Sequence, residues 1–522
     1  MNDQSNKDYS GVKNAAIIGA GVAGLATARI LLAQGITCTV YERGDRIGGV
    51  WAAGYSNFGA QVQRELYEFP DWPLPSDTAD FTPGPIIQKY LVDYADHFAI
   101  TPAIRFGETV IGLEQNGEMG GGWTVTSDRD SERRVETYDI AVICIGLYSN
   151  RPNQPMFEGQ ESFTGEIMHI SGLQSRNQLA GKRVAVLGYG KSATDAALES
   201  AAVADETSII FRRPHWPIPS RLAGILPFKW GMLNRLTSTL IPLYQRPSAL
   251  EKAVHSIAKP LVWFYWRLVE ALLFFQFRLG SRFGTRVSLV SDVPIEIDAF
   301  GESSMLPRPK FYRLVRKGRI NAQRTEIARY TPGGVMLKNG VTLDIDIMIN
   351  ATGWKTDFGF LSAEIRDRLA IEDDGFYLYR HMFCPSLPGL FFIGRASTIC
   401  SILTYSLQAR WLGELLAGRF QLPAGGAMVR DIEDMKTWKR SWMPKSEARS
   451  ARLIVHMQHY HDELVTDFGA DPLRKTGALA PLKELIWPYE PRDYAAIIAG
   501  EETEGGNAGD LAKDADLSKF IL

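Results

Sequence analysis

The sequence contains little cysteine, almost no net charge and no long uninterrupted apolar run. Its four cysteines, Cys38, Cys144, Cys384 and Cys400, form no CxxC pair. This predicts a reducing, cytoplasmic setting and argues against a disulfide reductase. A formal net charge of −2 in 522 residues excludes a chain built to coat nucleic acid. The N-terminal residues 1–13 are polar and lack the apolar core of a secretion signal.

The most informative features present are two glycine-rich turns, each between an apolar strand and a helix. GAGVAG at 19–24 follows the strand 15–18, and GYGKSA at 188–193 follows the strand 184–187. In such turns the first glycine permits a tight bend, the second lets the backbone approach a pyrophosphate at the helix N-terminus, and the small third residue lets helix and strand touch. Two such turns predict two dinucleotide-binding sites. The residues assigned to them are Gly19, Gly21, Gly24, Gly188, Gly190 and Ala193.

The residues at the end of the next strand distinguish the two predicted ligands. The strand 37–41 ends in Glu42, placed where a carboxylate accepts hydrogen bonds from ribose hydroxyls and repels a 2′-phosphate. The strand 208–211 ends in Arg212 and Arg213, whose guanidinium groups suit a phosphate dianion. The second site is therefore predicted to prefer NADPH over NADH. The alternative is that the two arginines belong to a generally basic surface.

The strand pattern predicts an α/β fold with two Rossmann-like dinucleotide-binding domains, the second inserted into the first. The predicted ranges are 1–175 for the first domain, 176–330 for the second and 331–500 for the return to the first. We expect the apolar strands at 346–351 and 390–394 to complete the first sheet, because the second domain has strands of its own. The last segment, 501–522, is rich in Gly, Asp, Glu and Ala and is predicted to be loosely ordered.

A basic and aromatic insertion occupies 214–286 in the predicted second domain. Its most apolar part, 261–277, is interrupted by Arg267 and Glu270 and is shorter than the roughly 20 residues of a spanning helix. On a helical wheel these two residues share a stripe with Lys259 and Arg278, leaving a broad apolar face. That pattern suits a helix lying on a membrane surface. The alternatives are a lid over an active site and a homodimer contact.

Several sequence blocks, in order, resemble one family. Between the two turns stands an FxGxxxH match formed by Phe163, Gly165 and His169. With the two turns, this order resembles the class B flavoprotein monooxygenases, namely the flavin-containing, dimethylaniline monooxygenase-like enzymes and their Baeyer–Villiger relatives. The further matching blocks are GGVW at 48–51, QRELYEFPDWPLP at 63–75, CIGLYSNRPNQP at 144–155, NATGW at 350–354 and LQARW at 407–411. The aromatic residue that distinguishes the branches is replaced by Leu173, so the branch stays open.

The resemblance implies roles for particular residues. FAD would lie on the first turn with its ribose on Glu42, and NADPH would lie on the second turn with its 2′-phosphate on Arg212 or Arg213. The FxGxxxH residues would link the domains, with His169 not expected to donate a proton to the reacting atom. Further cofactor contacts implied by the resemblance are Gly49, Val50, Trp51, Ser192 and Asp195. Gln61 takes the place of an asparagine near the flavin and is the one candidate catalytic residue, the alternative being a structural loop residue.

The activity implied by the resemblance is that of an FAD-dependent NADPH monooxygenase. Hydride from NADPH would reduce FAD, and dioxygen would add at flavin carbon 4a to give a hydroperoxide that oxygenates a nitrogen- or sulfur-containing, lipophilic small molecule. Two alternatives stay open, Baeyer–Villiger oxygenation of a ketone and electron transfer by a membrane-docked flavoprotein. The resemblance also places 214–286 where vertebrate members have a membrane-associated insertion. His456, His459 and His461 are not expected to bind metal, because no cysteine joins them and His461 leaves the helical face of the others.

Overall fold

Two five-stranded parallel sheets organise the chain. The structure, a computed structural model, describes residues 8–117, 121–148, 151–299 and 310–501. The predicted tail at 501–522 therefore lies, except for its first residue, outside the described residues. The strands are β1 (Asn14–Ile18), β2 (Thr37–Glu42), β3 (Ile104–Phe106), β4 (Thr109–Gln115), β5 (Trp123–Arg129), β6 (Glu132–Tyr138), β7 (Ile140–Ile143), β8 (Arg151–Pro152), β9 (Glu166–His169), β10 (Arg183–Leu187), β11 (Glu206–Phe211), β12 (Arg221–Leu222), β13 (Leu226–Pro227), β14 (Asn321–Arg324), β15 (Ile327–Thr331), β16 (Gly334–Leu337), β17 (Thr342–Asp344), β18 (Ile347–Asn350), β19 (Trp354–Lys355) and β20 (Leu390–Phe392).

Helices cover the sheets and form the insertion and the C-terminal region. They are α1 (Val22–Ala33), α2 (Gly84–His97), α3 (Lys191–Val203), α4 (Phe228–Met232), α5 (Arg235–Ser238), α6 (Ala249–Ile257), α7 (Lys259–Phe277), α8 (Ile295–Asp298), α9 (Lys310–Arg316), α10 (Ala363–Arg368), α11 (Ser401–Leu416), α12 (Gly425–Trp442), α13 (Met457–Asp467), α14 (Ala480–Ile486) and α15 (Ala495–Ala499). Within the described residues, none of these helices is both long and apolar enough to cross a membrane.

The two sheets have the same construction. The first has the order β20-β7-β1-β2-β3, and the second β14-β11-β10-β18-β9. In each, the strand before the glycine-rich turn is central, the next strand pairs on one side, and a later strand pairs on the other. All strands of the second sheet lie between β7 and β20 in sequence. The predicted α/β fold, with one dinucleotide-binding domain inserted into the other, is therefore confirmed.

One strand is not where the sequence analysis expected it. The segment at 346–351 contains β18, which pairs with β10 and β9 in the second sheet and not with the first sheet. The reason is that β10 needs a parallel neighbour on its open side, and β18 is the apolar strand that fills it. The strand at 390–394 does return to the first sheet as β20, beside β7. The second sheet thus spans 166–350, which is wider than the predicted 176–330.

The insertion at 214–286 is attached to the C-terminal region through polar contacts, most of which are partly buried. The indole nitrogen of Trp438 donates to the carbonyl of Leu243, and the His456 ring bonds the carbonyl of Pro242. The charged and hydroxyl pairs that join the two segments are Lys229 with Glu490, Arg235 with Asp462 and Tyr489, Tyr244 with Glu463, Arg246 with Asp431, and Glu251 with His459. Because buried charges are costly to separate from their partners, these contacts fix the insertion against the rest of the molecule.

Candidate cofactor and active site

The first glycine-rich turn has room for a ligand and not for side chains. Gly19 has a φ of +108°, and a Cβ there would lie 2.7 Å from the carbonyl oxygen of Cys144. A Cβ on Gly24 would lie 1.9 Å from the carbonyl oxygen of Gly19, so the helix could not approach the strand. A Cβ on Gly21, the N-cap of α1, would meet only the backbone of Gly49, at 3.7 Å or more. The protein itself therefore leaves space at Gly21, and a pyrophosphate at the helix N-terminus fits that space.

Glu42 lies beside this turn, as predicted from the sequence. One of its carboxylate oxygens accepts a hydrogen bond from the backbone N–H of Ala20 at 2.9 Å, and the other accepts one from Gly44 at 2.8 Å. These bonds fix the carboxylate at the end of β2. Each oxygen can accept a further bond, so the side chain can also hold ribose hydroxyls.

The second turn repeats this geometry. Gly188 has a φ of +128°, and a Cβ there would lie 2.5 Å from the carbonyl oxygen of Ala351. Ala193 is fully buried where α3 packs on β10, and Gly190 is the N-cap of α3. Ser192 is half-buried in the first turn of the helix. This turn too presents a helix N-terminus at the carboxyl end of a parallel sheet.

Arg212 and Arg213 follow β11 directly and are both exposed. Neither forms an ion pair with any residue that the structure describes. Their guanidinium groups are therefore available to a phosphate at the edge of the second sheet. The sequence prediction of a 2′-phosphate contact remains a prediction for both.

Asp195 contacts the first domain in the structure, and its predicted contact with NADPH remains a prediction. It is buried, and its carboxylate accepts from the Tyr55 hydroxyl at 2.8 Å and from the Lys191 ammonium at 2.7 Å. Lys191 also donates to the Tyr55 hydroxyl at 3.0 Å. Asp195, which the resemblance assigns to NADPH, thus joins α3 to the loop at 55–57 of the first domain.

Glu199, one turn further along α3, makes a second connection to the same loop. Its buried carboxylate accepts from Asn57 at 3.0 Å, from Ser56 at 3.3 Å and from the Arg176 guanidinium at 3.0 Å. The sequence analysis missed Tyr55, Asn57 and Glu199. The available signal was the spacing of Lys191, Asp195 and Glu199, which puts three charges on one face of a small-residue helix.

The FxGxxxH residues lie on and just before β9, at the edge of the second sheet, and their role as a linker between the domains remains a prediction. A Cβ on Gly165 would lie 2.4 Å from the carbonyl oxygen of Asp346, so glycine is needed beside β18. His169 ends β9; its Nδ1 accepts from the Ser171 backbone at 3.3 Å, so Nε2 carries the proton and donates to the Gly353 carbonyl at 3.2 Å. Burial lowers the pKa of His169, which favours the neutral ring. His169 therefore fixes the loop next to Gly188, and Phe163 packs on Tyr330.

The predicted flavin-side residues form an aromatic cluster next to the first turn. Gly49, Val50 and Trp51 make a short helical turn whose Gly49 backbone touches Gly21. The Trp51 indole N–H donates to the Tyr67 hydroxyl at 2.9 Å, and its ring stacks on Phe58 with centroids 5.8 Å apart. The aromatic rings can therefore shield this side of the site from water.

Gln61 lies at a cavity of about 10 Å³ between the first domain and the start of the insertion. Its side chain is exposed, and Ile218 and Phe228 of the insertion line the opposite wall. The neighbouring Gln63, which the sequence analysis did not single out, has a buried amide oxygen without a hydrogen-bond partner among the described residues. A buried acceptor of this kind fits a ligand that brings a donor.

The chain matches a family model described as "Flavin-binding monooxygenase-like" over residues 12–255 and 313–479. The protein belongs to this family. It is 28% identical to "Dimethylaniline monooxygenase [N-oxide-forming] 2" of Oryctolagus cuniculus, an alignment that covers 95% of this chain and 91% of that protein. Its function as a flavin-dependent monooxygenase with FAD and NADPH as cofactors follows from family membership.

Solved structures of low sequence identity share the fold. S-allyl-L-cysteine S-oxygenase from Allium sativum superposes with a TM-score of 0.61 at 20% identity, covering 95% of both chains. A steroid monooxygenase bound to NADP gives a TM-score of 0.64 at 19% identity, covering 86% of this chain and 96% of that one. At this identity the likeness supports the two-domain architecture.

The three C-terminal histidines make separate contacts. His461 is fully buried, and its Nε2 lies 2.8 Å from the Thr404 hydroxyl. His459 bonds Glu251, and His456 bonds a backbone carbonyl. Burial lowers the pKa of His461 to about 3 and also holds the pKa of His456 well below its usual range.

Replacing His461 with Gln is expected to flatten the acid side of the stability profile. Below the unfolded pKa of about 6.5 the unfolded chain takes up a proton that the folded His461 refuses, so stability falls as the pH falls from there toward 3. Removing this group should reduce the slope by up to about 1.4 kcal/mol per pH unit. Unfolding midpoints measured between neutral and mildly acidic pH test this, with His97→Gln, at an exposed histidine, as the control. Parallel profiles for His461→Gln and the wild type would contradict the assignment.

Proposed function

We propose that this monooxygenase transfers one oxygen atom from dioxygen to the nitrogen or sulfur of a lipophilic small molecule, with NADPH as reductant and a flavin carbon 4a hydroperoxide as oxygen donor. FAD supplies hydride acceptance and oxygen activation when bound. The chain binds both cofactors, orients them and limits access of water. Such a reaction needs no side-chain nucleophile, which agrees with a site that offers backbone turns and aromatic rings.

The contact between the loop at 55–57 and helix α3 carries this proposal. The loop begins four residues after Trp51, and α3 begins at the second glycine-rich turn. Buried bonds from Tyr55 and Asn57 to Asp195 and Glu199 therefore hold the flavin side of the first site against the helix of the second. Hydride transfer requires that proximity, because the reacting atoms must be nearly in contact.

The names of similar proteins support nitrogen and sulfur as the oxygenated atoms. The rabbit relative is named as N-oxide-forming, and the garlic protein is named as an S-oxygenase. An amine nitrogen or a sulfide is a soft nucleophile that captures an electrophilic oxygen. Baeyer–Villiger oxygenation and electron transfer without oxygenation are the outcomes that would replace this proposal.

Isotope labelling distinguishes these outcomes. The FAD-loaded protein is supplied with NADPH, ¹⁸O-labelled dioxygen and either a lipophilic tertiary amine, an alkyl sulfide or a cyclic ketone. We expect one labelled oxygen in an N-oxide or a sulfoxide, measured by mass spectrometry. A labelled lactone as the sole product would favour the Baeyer–Villiger reaction. NADPH-dependent quinone reduction with no labelled product from any substrate would favour electron transfer.

Replacing Arg212 and Arg213 with Ala is expected to reduce the preference for NADPH. A hydrogen bond to a charged group contributes roughly 1.5–3 kcal/mol, so kcat/KM for NADPH should fall about 10- to 100-fold while the value for NADH changes little. Steady-state kinetics with both nucleotides give the ratio. The control is Arg133→Ala, at an exposed arginine of β6 in the first domain. If the ratio of kcat/KM for NADPH to that for NADH is unchanged, Arg212 and Arg213 belong to the general basic surface.

We also propose that the protein is cytoplasmic and contacts a membrane surface through the outer face of α7. That face, here called the α7 ridge, consists of Leu261, Phe264, Leu268 and Phe275, all of which are exposed. The opposite face, with Trp266 and Leu273, is buried. Exposed cations without an acidic partner among the described residues stand near both ends of the ridge, namely Lys252, Lys259, Arg278 and Arg286. An apolar ridge between cationic ends is complementary to an anionic lipid surface.

Replacing the four residues of the α7 ridge with Ser is expected to weaken binding to phosphatidylcholine–phosphatidylserine vesicles at least 10-fold, because apolar burial and charge attraction add. Co-sedimentation at low and high salt measures the effect. The control replaces Val135 and Met156, which are exposed far from the ridge in sequence, with Ser. Unchanged vesicle binding would remove the proposal, and a loss of dimer in place of vesicle binding would assign the ridge to a second copy of the chain.

A further inference from the structure

Arg395 is a buried cation at the edge of the first sheet where the first glycine-rich turn lies. It follows β20 and Gly394, and only 9% of its surface is exposed. The strands of this sheet are parallel, so β20 and β1 end at the same edge. The arginine therefore enters the fold on the side where the first dinucleotide binds.

The backbone before Arg395 contacts the first turn of α1. Gly394 has a φ of +97°, and a Cβ there would lie 2.8 Å from the Cβ of Ala23. Ala23 is the second residue of α1, two positions after the N-cap Gly21. The end of β20 is thus packed against the helix N-terminus that faces the pyrophosphate position.

No described acidic residue pairs with Arg395. Its guanidinium carbon lies 3.9 Å from the ring centroid of Phe376 and 5.8 Å from that of Phe358. His381 and Lys439 lie near Arg395. Burial lowers the pKa of both groups, and the positive charge of Arg395 lowers it further. Burial also lowers the pKa of Arg395 itself, to about 10.

A buried cation without a counter-ion is expensive, and proteins retain one where a partner or ligand supplies the opposite charge. The N-terminus of α1 offers only about half a positive charge. The diphosphate of FAD carries two negative charges, so most of its charge is left for another group to balance. Because Gly394 packs against the first turn of α1, Arg395 enters the fold one residue from this contact, as a buried cation with no described acidic partner.

We propose that Arg395 is an FAD-binding residue whose guanidinium balances the diphosphate of the cofactor. This rests on FAD as the cofactor of the first site. Arg395 then has opposite effects on the stability of the FAD-free and the FAD-bound protein. The unpaired charge weakens the FAD-free fold, and the paired charge strengthens the FAD-bound one.

Arg395→Met and Arg395→Lys test this with two readouts that do not depend on activity. In Arg395→Met we expect the FAD dissociation constant, measured by flavin fluorescence with apoprotein, to rise at least 10-fold, with Arg395→Lys recovering part of the loss. The thermal midpoint of the FAD-free Arg395→Met protein should equal or exceed that of the wild type, while the FAD-saturated midpoint should be lower. The midpoint potential of the bound flavin should not change.

Lys439→Met is the matched control, because Lys439 is a buried basic residue near Arg395. Its amino group donates to the carbonyl of Ser450 at 2.8 Å. It should leave FAD affinity unaltered. An unchanged FAD dissociation constant in Arg395→Met, or a lower FAD-free midpoint with the same affinity, would overturn the proposal and make Arg395 a core cation. A shifted flavin potential with unaltered affinity would also overturn it, by assigning the guanidinium to the ring. Failure of the wild type to bind FAD would instead contradict the cofactor assignment itself.

Discussion

Two buried carboxylates on helix α3, Asp195 and Glu199, bind the loop at 55–57 of the other domain, and both cofactor sites depend on this contact. Each carboxylate is satisfied by donors from the first domain as well as by a nearby cation. Removing the donors would cost roughly 1.5–3 kcal/mol for each hydrogen bond lost to a charged group. The relative position of the two domains is thus fixed next to both glycine-rich turns, and the two dinucleotides can meet at one place.

The local features of both sites could be predicted from the sequence, because each depends on the type of a single residue. A turn that brings backbone against backbone requires glycine, and the space around Gly19, Gly24 and Gly188 shows why. Glu42 could be predicted in the same way, since its place at the end of β2 follows from its distance along the chain. These constraints are local, so they need no knowledge of the tertiary contacts.

Partner choice between distant segments could not be predicted. An apolar strand such as β18 would suit either sheet, so its sequence does not show which one it joins. It joins the second sheet because it pairs with the open side of β10. Likewise, nothing in the sequence near Asp195 indicates that Tyr55 of the other domain donates a hydrogen bond to it. The sequence around Arg395 carried no signal of its burial. Its proposed role depends on the lack of an acidic partner among the described residues, which only the folded structure reveals.

Hydride is expected to pass directly between two dinucleotides held at one interface. The most direct measurement is anaerobic mixing of the FAD-loaded protein with NADPH carrying hydrogen or deuterium at the transferred position of nicotinamide carbon 4. The flavin absorbance should disappear without any added carrier, and deuterium should slow this step. A flavin that stays oxidised under NADPH, or that is reduced only through an added carrier, would contradict it.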